Sequence, residues 1–218
     1  ARRATGLTIA IGDPLAYGLA FRGGKYRPLL LGLVVLPFFT SYPLRPSAWR
    51  TLLSDNGFVT GFIDAVGATW FFEAANIMDN GRLINTPAAV IFGLTYNFLP
   101  FMILPIYVSL EKLDVRLLDA AKDLYSTSTS AFAKIIVPLS VPGIFAGTLL
   151  TFIPAAGDFV NSLYLGSPNT TMIGNSIQDQ FLVQNNVPLA SAMSFVLMFI
   201  ITVFVIIYSR FFGTEDLA

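Results

Sequence analysis

Residues 111–143 read EKLDVRLLDAAKDLYSTSTSAFAKIIVPLSVPG, a charged, helix-forming stretch between two long apolar segments. Within it, Leu and Ala residues recur every three or four positions, which is the period of one helical face. The run of Ser and Thr at 126–130 interrupts that pattern, because hydroxyl side chains compete for backbone partners and favour helix caps. Residues 131–137 then begin a second short helix. The stretch 111–137 is therefore predicted to be a helix–turn–helix that either docks into a groove of a partner or lies on a membrane surface.

The composition places this stretch in a membrane protein. Hydrophobic residues make up 55% of the 218 positions and charged residues only 12%, with a mean hydropathy of +0.69. An average soluble domain carries about 25% charged residues, so this chain has too little polar surface for water to surround it. Lys plus Arg and Asp plus Glu are equal at 13 each, which gives no indication of a nucleic-acid partner. Membrane lipid is the expected surrounding.

The chain contains neither Cys nor His. A disulfide framework, a Cys/His metal site and a histidine general base are thereby excluded. We expect no cofactor, no metal and no catalytic residue, and hence a non-catalytic protein.

An all-α polytopic fold follows from the apolar segments, since a helix needs about 20 mostly apolar residues to cross a bilayer. Residues 1–218 are predicted to form one transmembrane domain with about five spans, and at least one further span is expected before Ala1, giving six in the full subunit. An outer segment, 58–72, is apolar but carries Asp64 and is read as an interfacial or re-entrant piece. The five predicted spans are 5–21, 28–42, 86–110, 138–159 and 188–211.

Lys and Arg residues set the orientation, because they concentrate in short cytoplasmic loops. If the stretch 111–137 is cytoplasmic, eight Lys and Arg residues lie on the cytoplasmic side and five, including Arg45, lie outside. The charge bias therefore favours a cytoplasmic 111–137 loop.

Two short motifs in this loop carry a family resemblance. Asp119-Ala120-Ala121 followed by residues 135–138 (IIVP) resembles the EAA loop of ABC importer permeases, which reads Glu-Ala-Ala, then Gly, then Ile-x-Leu-Pro. The flanking words LTYNFLPFMILPIYVSLEKL (94–113), PAAGDFV (154–160) and MIGNSIQDQFL (172–182) are similar to permeases of the spermidine/putrescine type. The resemblance covers nearly the whole chain. Asp119 replaces the family Glu, and Tyr125 stands where the family has Gly.

The resemblance implies a type I importer permease in a bacterial cytoplasmic membrane, with 111–137 as the cytoplasmic coupling loop. It implies a second permease subunit, two ATP-binding subunits that hydrolyse ATP, and an extracytoplasmic substrate-binding protein. This agrees with the lack of a GxxxxGK[ST] phosphate loop in the chain. The residues expected to contact an ATPase subunit are Asp119, Ala120, Ala121, Lys122, Leu124 and Tyr125.

Candidate pathway residues are polar or aromatic side chains in apolar segments. Asp158 is the first, because an acid in a membrane segment is costly and Pro154 and Gly157 loosen the helix beside it. A polycation would find a counter-charge there; the alternative is an acid that only caps the segment. Tyr96 and Asn97 precede the kink expected at Pro100, where a carbonyl is freed. The aromatic faces of Tyr96 and Phe39 can attract ammonium groups. Asp179, in a polar outer loop, is the last candidate.

Other transported substrates remain open at this point. Permeases of the same architecture serve iron, thiamine and oxyanions, although the interior of the five predicted spans contains no Arg or Lys to attract an anion, since Arg210 lies at the very end of the last span. A self-sufficient secondary transporter with broken helices and a midplane Asp is the alternative from a different class. Such a transporter would need no ATPase partner.

Overall fold

The computed structural model describes residues 1–113, 130 and 132–212, and every named element in that part of the chain is helical. Short π- or 3₁₀-helical segments extend or connect several of the helices, at Gly18–Arg22, Leu36–Phe39, Phe132–Ile136 and Asp179–Val183. The α-helices are α1 (Arg2–Tyr17), α2 (Arg27–Val35), α3 (Leu44–Leu53), α4 (Phe58–Val66), α5 (Thr69–Ala74), α6 (Pro87–Glu111), α7 (Val137–Gly157), α8 (Val160–Leu165), α9 (Ile173–Gln178) and α10 (Val187–Phe212).

The centre of the bundle is α6, which packs along both α1 and α7. Its start is fixed locally: Pro87 occupies the first turn, where no N–H bond is lost, and Thr86 caps the helix by accepting a 3.1 Å hydrogen bond from the Ala89 N–H. The approach of α7 to α6 is close because glycines line the contact. A Cβ on Gly143 would lie 2.6 Å from the Ile106 Cα.

Two buried apolar clusters hold these helices together. One surrounds the N-terminal half of α6 and includes Leu94 and Phe98, while the other surrounds its C-terminal half and includes Met102 and Ile106. In contrast, α10 is almost entirely unburied and attaches to α7 through stacked rings, with Phe145 and Tyr208 centred 4.7 Å apart.

The predicted all-α membrane fold is confirmed, and three predicted spans match long apolar helices closely. In the part of the chain that the structure describes, α6, α7 with its π-helical start, and α10 are each long and apolar enough to cross a membrane. The predicted span 28–42 forms only one arm of a broken pair, Gly24–Phe39 and Leu44–Val66, whose arms meet at 97°. The predicted span 5–21 is helical and packs against α6 and α7 but is not among the helices that meet both criteria. Three spans, or four with the broken pair, thus satisfy length and composition.

Candidate functional site

The break between α7 and α8 holds a buried carboxylate. Asp158 follows α7 with an extended backbone (φ −64°, ψ 130°), and its Oδ1 accepts a 2.8 Å hydrogen bond from the backbone N–H of Asn161. This bond acts as a helix cap from the residue before the N-cap Phe159, because it satisfies an N–H of the first turn that has no partner within the helix. Asp158 is only 6% exposed, so its capping role is performed inside the protein.

The second oxygen of the same carboxylate meets two further donors. Oδ2 of Asp158 accepts a 2.9 Å hydrogen bond from Nδ2 of Asn161 and another from the hydroxyl of Tyr42. Asn161 Nδ2 also lies 3.2 Å from the Tyr42 hydroxyl oxygen. Three donors, the Asn161 N–H, Asn161 Nδ2 and the Tyr42 hydroxyl, thus converge on this one carboxyl group.

From Asn161 the hydrogen bonds continue to α6 and α3. Asn97 Nδ2 donates to Asn161 Oδ1 at 3.0 Å, and Arg45 Nη1 lies 3.5 Å from Asn97 Oδ1. We call these five side chains, from Tyr42, Arg45, Asn97, Asp158 and Asn161, the polar network. It joins α3, α6, α8 and the connection before α3.

The position of Asn97 along α6 gives the depth of the polar network. Asn97 is the eleventh residue of this 25-residue helix. At a rise of about 1.5 Å per residue, it lies about 15 Å from one end of α6 and about 21 Å from the other. The polar network is therefore near the middle of the longest buried helix and not at its end.

Only two of the predicted pathway residues lie in the polar network, namely Asp158 and Asn97. Tyr96 is 37% exposed and packs edge-on against Trp49, with ring centres 5.5 Å apart. Phe39 is 84% exposed. Asp179 is also exposed, and its carboxylate accepts a 2.7 Å hydrogen bond from Gln184. The structure describes these positions without testing a role in transport, so all five remain predictions.

Sequence reasoning missed Tyr42, Arg45 and Asn161. Asn161 has a local signal, since it follows Asp158 by three residues, the spacing of a capping contact. Arg45 was expected in an outer connection, whereas the structure buries it, with 8% of its surface exposed, in a chain of polar groups that reaches Asp158. The sequence argument against an anion pathway, which relied on the lack of a cation in the spans, is weakened by this placement.

The predicted ATPase contacts Asp119, Ala120, Ala121, Lys122, Leu124 and Tyr125 lie outside the described residues. The structure does describe what holds the two ends of their loop. Glu111, at the end of α6, accepts hydrogen bonds from Arg27 at 3.0 Å and from the Tyr107 hydroxyl at 2.7 Å. Beyond the loop, the Phe132 ring packs edge-on against Tyr17 at 5.4 Å.

Within residues 1–113, 130 and 132–212, no group of His, Cys, Asp and Glu side chains is arranged to hold a metal ion. The polar network contains a buried carboxylate and amide oxygens that could contact a ligand. That chemistry suits recognition of a hydrogen-bond donor or a cation.

The chain is similar in sequence to several permease proteins of transport systems. The spermidine/putrescine transport system permease protein PotB of Haemophilus influenzae is 41% identical over 207 residues, which cover 95% of this chain and 70% of that protein. PotB of Escherichia coli is 39% identical over 208 residues, covering 95% of this chain and 72% of that protein. The E. coli inner membrane ABC transporter permease protein YdcU is 31% identical over 214 residues, covering 95% and 68%.

The fold is also similar to a solved structure. A chain in the crystal structure of a bacterial ABC transporter involved in the import of the acidic polysaccharide alginate superimposes with a TM-score of 0.62 at 17% identity, covering 98% of this chain and 76% of that one. At this identity the likeness concerns the fold alone.

The family model for the inner membrane component of binding-protein-dependent transport systems matches residues 12–213. This match and the apolar helices place the protein in the cytoplasmic membrane as a multi-pass component. The chain therefore belongs to the family of binding-protein-dependent transport system inner membrane components.

Proposed function

We propose that this protein is a permease subunit of an ATP-driven, binding-protein-dependent importer and that its cargo is a polyamine such as spermidine or putrescine. The family match and the two PotB relatives at about 40% identity support this function. Catalysis of ATP hydrolysis is assigned to partner subunits, and this chain forms part of the translocation pathway.

The observation that carries the proposal is the buried carboxylate of Asp158 at a helix break in mid-bundle. Acids at membrane depth are costly and face a cavity, a partner or the bundle interior. No salt bridge joins Asp158 to another residue in the part of the chain that the structure describes. A carboxylate that is hydrogen-bonded but not ion-paired can attract the ammonium group of a passing cation.

The proposed assembly contains a second permease, two ATP-binding subunits and an extracytoplasmic substrate-binding protein. In it, the chain acts as a single permease domain, and loop 111–137 with Asp119–Tyr125 contacts an ATPase subunit. ATP would bind the two states of the assembly with different affinity and so shift the permease between them. Support for this coupling comes from the family and from the position of the loop directly after α6.

The experiment is uptake into vesicles that contain the purified permease with its partner subunits and binding protein. Labelled spermidine, putrescine, thiamine, iron and sulfate are compared with and without ATP. We expect ATP-dependent accumulation of a polyamine only. Accumulation of thiamine or iron would show that the cargo is not a polyamine. Accumulation of sulfate would indicate that Arg45 and not Asp158 attracts the cargo. Uptake that needs no ATPase subunit would indicate a secondary transporter.

A further inference from the structure

A buried arginine occupies a cation-binding arrangement in the polar network. The guanidinium carbon of Arg45 lies 5.1 Å from the ring centre of Phe38 and 5.5 Å from that of Tyr42. Both distances are within the roughly 6 Å over which an aromatic face attracts a cation. Oxygen acceptors complete the surroundings: the Thr40 carbonyl is 3.3 Å from Nη2, and Asn97 Oδ1 is 3.5 Å from Nη1. We call this group of two rings and two oxygens the aromatic cage.

The walls of the aromatic cage are supported independently of Arg45. Phe38 packs edge-on against Phe101 of α6 with ring centres 4.9 Å apart, and Tyr42 lies 6.5 Å from Phe98, one turn earlier on the same helix. The Tyr42 hydroxyl is fixed in addition by its hydrogen bond to Asp158. The rings therefore have neighbours that would keep them in place if the guanidinium left.

Arg45 itself is loosely held for a buried cation. Its two hydrogen bonds, at 3.3 and 3.5 Å, are longer than the usual 2.7–3.2 Å, and its buried Nε has no partner in the described residues. Buried arginines are normally ion-paired, because an unpaired buried charge is costly. Arg45 has no salt-bridge partner in the part of the chain that the structure describes. The aromatic cage thus holds a cation that can leave at low cost.

We propose that the aromatic cage is a subsite for an ammonium group of the transported cation and that Arg45 fills it as a tethered substitute when no substrate is present. The proposal rests on the proposed polyamine function. Tyr42 joins the subsite to Asp158, since its face meets Arg45 while its hydroxyl donates to the carboxylate. A cargo with two ammonium groups on one alkyl chain would place one group in the cage and the other at Asp158.

The proposed exchange places Arg45 and one wall of the aromatic cage on different sides of a helix break. Arg45 is the second residue of α3, directly after the break in the pair Gly24–Phe39 and Leu44–Val66. Phe38 belongs to the first arm and Arg45 to the second, so in this proposal a change in the 97° angle between the arms would withdraw the guanidinium from Phe38.

The first test is direct binding of labelled spermidine to the complete transporter in detergent, without the binding protein. Arg45→Gln removes the tethered cation, Arg45→Lys keeps it, and Arg50→Gln removes an exposed cation from the same helix as a control. A cage that is free one-tenth of the time weakens the apparent affinity about tenfold, so we expect Arg45→Gln to bind up to about tenfold more tightly than the parent. Arg45→Lys and Arg50→Gln should bind like the parent. Equal or weaker binding by Arg45→Gln would overturn the proposal and leave Arg45 as a structural brace.

The second test does not depend on which substrate is carried. Thermal unfolding of the complete transporter with Arg45→Ala is followed with methylguanidinium chloride and with an equal concentration of sodium chloride. We expect methylguanidinium to raise the midpoint by at least about 2 °C in Arg45→Ala and not in the parent, because a ligand that binds only the folded state stabilises it. If methylguanidinium raises the midpoint of Arg45→Ala but spermidine does not bind, the aromatic cage is supported and the polyamine function is rejected. No protection would overturn the cage.

Discussion

At the scale of single residues, Asp158 combines a capping contact with a charge that faces other side chains. Its Oδ1 caps α8 through the Asn161 N–H, and its Oδ2 presents a negative charge to Tyr42 and the Asn161 side chain. Asparagine keeps an oxygen for the cap and lacks the charge. Substitution by Asn therefore separates the two roles.

We expect Asp158→Asn to lower polyamine uptake at least about tenfold, the effect of losing roughly 1.4 kcal/mol of attraction for the cation. Basal ATP hydrolysis should persist because the cap remains, while the thermal midpoint should fall modestly, since the new amide nitrogen cannot accept the bonds that Oδ2 accepts from Tyr42 and Asn161. Asp64→Asn is the matched control, since Asp64 is an exposed acid in α4. Normal uptake by Asp158→Asn would show that Asp158 serves only as a cap.

At the same scale, the sequence indicated Asp158 but not Tyr42 or Arg45, and the difference has a physical origin. Asp158 was found because an acid in an apolar run is costly wherever it lies, so the segment itself carries the signal. Tyr42 and Arg45 were not, because their partners are remote in sequence: Tyr42 contacts a residue 116 positions away, and Arg45 one 52 positions away. The spacing of apolar residues along the chain does not indicate contacts between residues so far apart in sequence. Arg45 in particular resembled a solvated loop residue beside Pro43 and Pro46.

At the scale of elements, the three long α-helices were predicted to within two residues at either end, although the continuous helix that includes α7 begins six residues before the predicted span, at Phe132. Segments 86–110, 138–159 and 188–211 correspond to α6 (Pro87–Glu111), α7 (Val137–Gly157) and α10 (Val187–Phe212). Apolar length alone determines such helices. The 97° turn at residues 40–43 was not predicted, because composition reports that a segment is apolar and not whether it runs straight.

The contact between α6 and α7 gives a stability prediction. A methyl group at position 143 would lie 2.6 Å from Ile106 Cα and 2.7 Å from the Pro105 carbonyl oxygen, and backbone atoms cannot rotate away. Overpacking of this kind costs about 1–3 kcal/mol, so Gly143→Ala should lower the thermal midpoint of the purified transporter by several degrees. Gly6→Ala is the control, because nothing lies within 4 Å of its added carbon. Equal midpoints for the two variants would contradict the close packing of α6 on α7.

The ion pair at the end of α6 gives a prediction about coupling. Arg27 and Glu111 are partly exposed, at 34% and 46%, so the pair contributes at most about 1 kcal/mol to stability. Glu111 nevertheless joins α2 to α6 immediately before the proposed coupling loop. We expect Glu111→Gln to leave the thermal midpoint nearly unchanged while lowering the number of polyamine molecules imported per ATP hydrolysed.

Asp55→Asn is the matched control for that measurement. It removes the Arg82–Asp55 pair, whose side chains are 62% and 51% exposed and which lies far along the chain from the loop. Uptake per ATP should be normal in this variant. A normal ratio in Glu111→Gln as well would show that the pair at the end of α6 has no part in coupling.

At the scale of the whole molecule, one helix connects the polar network to the proposed coupling loop. Glu111 ends α6 at the loop, and Asn97 lies 14 residues earlier in the polar network, a separation of about 21 Å along the helix. The second connection runs through α2, which begins at Arg27 beside Glu111 and leads towards Phe38 and Tyr42. A displacement of the loop could therefore be transmitted to the polar network through α6 and through α2.

The attachment of the ATPase subunit is the step on which this transmission depends. Ala121 lies on the predicted small-residue face of the loop, and a glutamate there would place a bulky charge in an apolar contact. We expect Ala121→Glu to reduce co-purification of the ATPase subunit at least about tenfold, since burying an unpaired charge costs more than the 1.4 kcal/mol that a tenfold change requires. Ser128→Glu adds the same charge within the Ser/Thr run, away from that face, and should co-purify normally. If both variants retain the ATPase, the subunit binds elsewhere on the permease; if both lose it, the contact extends over the whole loop and is not confined to the face that contains Ala121.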